Sequence, residues 1–377
     1  MIIQEVSNKR LTKQFIDFPH DLYAGDPNYV PEVYIGQKEL LDQKKNPFFQ
    51  HSDATLFLLK KEGKIIGRIA AIHNRNYNEF IGNGTKGFFG FFEVIENYDA
   101  AKLLLDTAIG WVKKQGLNAI LGPTNFSTND TAGLLVDGYD RPPVIQMTYN
   151  KRYYADFLER YGFEKSMDML AYHVTEKEAN MKAVKLAGRL EERLAKRGVS
   201  IRTVQMKQFK AELKKIEKVY KGAWDKNWGF VPPTTQEFEK LGEELKLIAD
   251  PDLVLLAEKE GELIGFVAAI PDMNVVLRKV HRGRLLPFGI FKILWGKRKI
   301  DRIRVLLLGV LEDYRRMGIE GILYAKVISN ALAKGYTQAE ASWVLDNNEM
   351  MKRGVEGVNM TPYKRYRIYE KKLIVEE

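Results

Sequence analysis

The 377-residue chain has no cysteine, which excludes disulfides, thiolate nucleophiles and cysteine metal sites. Histidine is scarce too: His20, His51, His73, His173 and His281 are scattered, with no two placed three or four apart to share a helix face as ligands, so no metal site is expected. No apolar run approaches the roughly 18 residues expected of a membrane-spanning helix. Lys9 and Arg10 arrive before a signal-peptide core could develop, so a cytoplasmic location is expected. Hydrophobic residues make up 45% of the chain and charged residues 29%, the balance of a globular protein long enough for two domains.

What is present is a repeat. Residues 56–72 (LFLLKKEGKIIGRIAAI) match 254–270 (VLLAEKEGELIGFVAAI) at nine of seventeen positions. Both stretches spell strand, turn at Gly63 or Gly261, strand. The likeness continues from Gly90-Phe91-Phe92-Glu93 to Gly309-Val310-Leu311-Glu312, each followed by a helical pattern closing at Gly116 and Gly335. Aligned in this way, the copies are offset by 198 residues in the hairpin and by 219 beyond it, which leaves about 21 extra residues around 277–300 of the second copy. Helical patterns precede each hairpin, at 11–22 and 36–42 and at 206–220 and 235–248. The order implies a mixed α/β fold of two tandem domains, 1–175 and 200–377, joined by a charged helical connector at 176–199.

The segment Val305 to Gly321 reads as a hydrophobic strand, a loop and a helix start. In the loop, Arg315 and Gly318 match the first two fixed positions of Gln/Arg-x-x-Gly-x-Gly/Ala, Glu320 stands where Gly or Ala is usual, and Gly321 follows. The stretch resembles the pyrophosphate-binding motif of the GNAT acyltransferases. Unpaired N–H groups at a helix N-terminus receive a diphosphate well, provided small residues allow approach. The resemblance therefore implies an acyl-CoA or acetyl-CoA site formed by Leu311, Arg315, Arg316, Met317, Gly318, Ile319 and Gly321. Glu320 fits such a site only if its carboxylate turns away. The first copy has Glu93, Glu96 and Asp99 and no glycine in the corresponding stretch, so it is expected to be a degenerate domain without that cofactor.

Over the whole chain, Gly122 to Asp130, Trp224 to Phe230, Ser342 to Asn348 and Tyr363 to Tyr369 resemble the bacterial ceramide synthase-like group of tandem GNAT proteins. That resemblance implies N-acylation of an amine by direct attack on a thioester, with positioning, proton acceptance and oxyanion stabilisation as the tasks. It implies Asn347 and Asn348 for the pantetheine arm, although Asp-Asn-Asn also favours a turn by itself. Trp224, Asn227, Trp228 and Phe230 are candidates for the acceptor site, and aromatic core packing explains the three rings equally well. Glu312 and Asp225 are candidate bases. Tyr366 is a candidate acid, with Tyr363 and Tyr369 beside it.

Residues 277–300 carry eight basic side chains and no acid, leaving a formal charge of only +2 on the rest of a +10 chain. Leu285 to Trp295, apolar between cations, is too short to span a bilayer and suits the surface of an anionic leaflet. A helical hairpin over a sheet edge and an acyl-chain channel are the alternatives. The expected partner is a small or lipid amine, such as a sphingoid base, and not a nucleic acid, because the charge is confined to one segment. Two further readings remain: an aminoacyl-tRNA-dependent peptidyltransferase, and a scaffold without activity.

Overall fold

The computed structural model describes residues 1–82 and 84–374. The first repeat contributes β1 (Ile2–Glu5), α1 (Lys9–Leu22), α2 (Tyr34–Leu40), β2 (Asp53–Lys61), β3 (Lys64–His73), α3 (Arg75–Ile81), β4 (Lys86–Val94), α4 (Tyr98–Lys114), β5 (Ala119–Gly122), β6 (Leu134–Asp137), α5 (Tyr153–Arg160) and β7 (Glu164–Thr175). After α6 (Met181–Ala195) the second contributes β8 (Val199–Thr203), α7 (Phe209–Trp224), α8 (Thr235–Lys246), β9 (Val254–Lys259), β10 (Glu262–Pro271), α9 (Asn274–Leu277), α10 (Gly289–Gly296), β11 (Arg302–Val310), α11 (Ile319–Ala333), β12 (Gln338–Leu345), α12 (Glu349–Gly357) and β13 (Thr361–Lys372). Local chemistry sets several of these boundaries. Asn97 caps α4 by accepting from the Ala100 amide, and Thr234 with Glu237 forms a capping box on α8.

The chain divides into two compact units. One comprises residues 1–168, 274–297 and 365–377, and the other 169–273 and 298–364. In the first unit the strands run β1-β2-β3-β4-β5-β13, with β6 also paired to β13. In the second the order is β7-β12-β11-β10-β9-β8. Every strand of one order has a counterpart in the other, but the sixth strand of each unit is encoded by the other repeat: Tyr369 pairs with Gly122, and Leu170 with Val344. The expected boundaries at 175 and 200 thus differ from the compact units at three places: Met169–Thr175, the segment 274–297 and the last strand. The connector also differs, because α6 is part of the second unit, with Val184 and Leu194 buried and Lys326 bonded to Glu191 at 2.7 Å.

Within the first unit, Ile69, Ala71 and Phe89 of the sheet meet Leu104, Leu105 and Ala108 of α4. Within the second, Val267 and Ile303 meet Ile322 and Leu323 of α11 on one face, and Phe266 meets Tyr220 and Phe238 of α7 and α8 on the other. Such two-sided burial is why the central strands read as nearly continuous apolar runs.

The ladders revise the repeat. Gly67 lies opposite Val94, and Gly265 lies opposite Val310, so the strand offset is 216 residues rather than 219. The copies regain an offset of 219 only at Gly116 and Gly335, both left-handed at φ 75° and 86°. Three of the supposed extra residues therefore belong to the loop after β11. Glu93 corresponds to Gly309, and Leu311, whose amide bonds to Ile264, corresponds to Ile95, whose amide bonds to Ile66, so Glu312 follows in the place of Glu96.

Candidate active site

In the second unit, β11 and β12 pair in parallel from Arg302 and Gln338 to Val305 and Ala341. Beyond this point β12 shifts register against β7, while β11 continues to Val310 beside β10. The two parallel strands part, and the chain leaves β11 through Leu311, a tight turn at Glu312–Met317 and Gly318 in the left-handed region (φ 79°) into α11. Glycine is required at 318 for that φ, and a Cβ there would also come within 2.7 Å of Leu190 on α6. Ile319 is buried against the core, and Gly321 faces open space.

The two arginines of the loop have separate roles. Arg315 donates from Nε to the Val310 carbonyl (3.1 Å) and from Nη2 to the Ala223 carbonyl (2.8 Å), tying the loop to β11 and α7. Arg316 is exposed, and Met317 packs against the core. Glu320 is partly buried, with Oε1 lacking a hydrogen-bond partner. Burial raises its carboxyl above the usual range, against the pull of its own backbone amide and Arg315.

The remaining candidates are dispersed. Glu312 is exposed and bonded to Lys226 at 2.6 Å, and that hydrogen bond holds its carboxyl below the usual range, the opposite of what a proton acceptor needs. Asp225 is the exposed cap residue after α7. Tyr366 belongs to the first unit, where it is fully buried. Asn348 caps α12 by accepting from Met351, and Asn347 is exposed. Trp224 and Phe230 join the aromatic core with Tyr220, Phe238 and Phe266, while Asn227 turns the chain back on the Trp224 carbonyl and Trp228 stays partly exposed. Among the described residues no cluster of acids and histidines could hold a metal ion.

The sequence analysis missed a buried polar chain where the strands part. Arg304 donates to Ser342 Oγ (3.0 Å) and to the Ser342 carbonyl (3.1 Å), Ser342 donates to Glu340 (2.6 Å), and the Tyr363 hydroxyl donates to the other Glu340 oxygen. Arg304, Glu340 and Ser342 are all buried. A lone arginine inside the apolar run of β11 was the available signal, because such a residue is almost never buried without partners.

Comparison with known proteins establishes the family. A model of the Acetyltransferase (GNAT) family matches residues 213–353. Protein YghO of Escherichia coli (strain K12) is 33% identical over 380 residues, covering 99% of this chain and 95% of its own. The bacterial ceramide synthase of Caulobacter vibrioides (strain NA1000 / CB15N) is 32% identical over 367 residues, covering 96% of this chain and 94% of its own. The chain is a tandem GNAT-fold N-acyltransferase of the bacterial ceramide synthase-like group. The tandem GNAT protein from the clavulanic acid biosynthesis pathway (without AcCoA) matches this enzyme over 100% of both chains with a TM-score of 0.58; at 9% identity that likeness concerns the fold alone. The enzyme has no described helix long and apolar enough to cross a membrane.

Proposed function

We propose that this N-acyltransferase takes a long-chain acyl group from acyl-CoA, bound at the second unit, and forms an amide with the primary amine of a lipid such as a sphingoid base. The observation that carries the reading is the parting of β11 from β12 directly before the glycine-bounded start of α11. The gap suits the pantetheine arm, and the N-terminus of α11 suits the diphosphate. Arg316 is the cation available to the phosphates, while Arg315 holds the loop in shape. In the reaction the amine nitrogen bonds to the thioester carbon and loses a proton, the C–S bond breaks, and the thiolate takes up a proton. Backbone amides of β11 beyond Val305 are the natural donors to the oxyanion.

The lipid part of the proposal is supported by the name of the Caulobacter relative and by the insert. Phe288, Leu294 and Trp295 of the insert are 70%, 58% and 75% exposed. Arg282 and Arg284 are bonded to Asp21 and Asp17 of α1, whereas Arg278, Lys279, Lys292 and Lys297 are exposed. Exposed rings among cations are what an anionic leaflet binds, at about 1 kcal/mol per nearby cation.

Titration with CoA and palmitoyl-CoA tests the donor. Micromolar binding that fails in Gly321→Glu, a site with room for a side chain, supports the reading; absence of binding to either ligand refutes it. Flotation with anionic vesicles tests the insert. Glutamate at positions 278, 279, 292 and 297 is expected to abolish binding, and equal flotation of both proteins refutes the membrane contact.

A further inference from the structure

The two copies end their parallel strand pairs in different ways. In the second unit the last pairs of β11 with β12 are Arg304 with Glu340 and Val305 with Ala341. Leu306 then drops out of the pairing of β11 with β10, Ser342 and Trp343 drop out of the pairing of β12 with β7, and the strands part. In the first unit the pair that matches Arg304 and Glu340 is Phe88 and Leu121, the last of β4 with β5. There the chain after β5 stays on β4. The Thr124 amide donates to the Phe89 carbonyl at 2.8 Å, and the Asn125 side chain accepts from the Phe91 amide at 2.9 Å. A Cβ at Gly90 would stand 1.9 Å from the Thr124 carbonyl oxygen.

The chemistry of the matching pairs differs in the same way. Phe88 and Leu121 are both 2% exposed and purely apolar, whereas Arg304 (2%) and Glu340 (0%) are as deeply buried and charged. The Arg304 guanidinium reaches past its own strand pair, with Nε donating to Ser342 Oγ at 3.0 Å and Nη2 to the Ser342 carbonyl at 3.1 Å. Glu340 secures the far side by accepting from the Ser342 and Tyr363 hydroxyls. A buried carbonyl at the end of a ladder needs a donor, and in a parallel pair the usual donors are amides of the neighbouring strand. Arg304 gives the Ser342 carbonyl a donor that is not an amide of β11. Only a planar guanidinium serves a hydroxyl and a carbonyl at once in this way; an ammonium is a point charge, and a phenylalanine ring donates nothing. Burying a charged pair is costly, and an apolar pair of similar volume is often at least as stable, so packing alone does not call for an arginine here.

We propose that Arg304 is a positioning residue that keeps β11 and β12 apart, and thereby holds open the slot for the pantetheine arm of the acyl donor. With Phe88 and Leu121 in the matching places, the first copy has no such prop. The slot belongs to the donor site proposed above, on which this role rests.

The test is calorimetric titration of the full chain with CoA and with 3′-phospho-ADP, which has the nucleotide and diphosphate of CoA but no arm. Wild type is expected to bind CoA more tightly of the two. Arg304→Lys keeps the charge but cannot make both bonds, and it is expected to weaken CoA by about tenfold while leaving 3′-phospho-ADP within about threefold. The double variant Arg304→Phe with Glu340→Leu installs the pair that already packs in the first copy. It is expected to abolish the preference for CoA, and it serves if Arg304→Lys does not fold. A merely structural loss would weaken both ligands alike. A preference for CoA that survives in the variants, equal weakening of both ligands, or failure of both variants to fold overturns the role of Arg304 and leaves the donor site standing. Wild type that binds neither ligand refutes the donor site itself, and the prop with it.

Discussion

Replacing Arg315 with alanine removes two hydrogen bonds from a guanidinium to the Val310 and Ala223 carbonyls. Hydrogen bonds to charged groups contribute about 1.5–3 kcal/mol each, and for a partly exposed side chain the lower value applies, giving a loss of about 3 kcal/mol for the pair. For a unit of this size that corresponds to a Tm lowered by about 6–12 °C. Arg316→Ala removes an exposed side chain and is expected to leave Tm within about 2 °C, since surface changes stay within roughly 0.5 kcal/mol. Its effect falls on binding: losing one exposed phosphate contact weakens CoA by about tenfold. Differential scanning calorimetry and CoA titration on both variants and wild type separate the two effects. If Arg316→Ala melts as early as Arg315→Ala, or if Arg315→Ala binds CoA weakly with an unchanged Tm, the division of roles between clamp and phosphate ligand is wrong.

Glu312→Gln is expected to retain kcat within about threefold, because one general base contributes about a hundredfold or more and an exposed, lysine-paired carboxylate is poorly suited to be one; a hundredfold loss with unchanged Tm would restore Glu312 as the base. His20 accepts from the Tyr29 hydroxyl at 2.9 Å, taking Nδ1 as the unprotonated nitrogen, and burial lowers its pKa from 6.5 to about 4. A depressed histidine favours the folded state above pH 6.5, and this contribution is lost as pH falls from 6.5 to about 4. After discounting for solvent screening the loss is about 1–2 kcal/mol, measurable by urea unfolding at pH 7 and pH 4.5, and His20→Gln is expected to remove that part of the pH dependence. An unchanged slope in His20→Gln would show that the imidazole takes up its proton as readily in the folded protein as in the unfolded chain.

Local signals settled much of this protein. Glycines that close hairpins and helices, the alternation of apolar runs and the order of strands and helices placed two GNAT folds in tandem, because those features depend on neighbours in the chain. The loop from Leu311 to Gly321 was legible for the same reason, since an arginine, a left-handed glycine and a helix start lie within a few residues. Tertiary structure alone decided that β13 completes the first sheet and β7 the second, as strand pairing is set by contacts far apart in sequence. It also decided that Glu93 answers to Gly309 and not to Glu312: a bulge and a three-residue difference in loop length leave the local pattern intact while moving a side chain to another site. Arg315 shows the same limit, because a motif names the residue and only the positions of two carbonyls determine what its guanidinium holds.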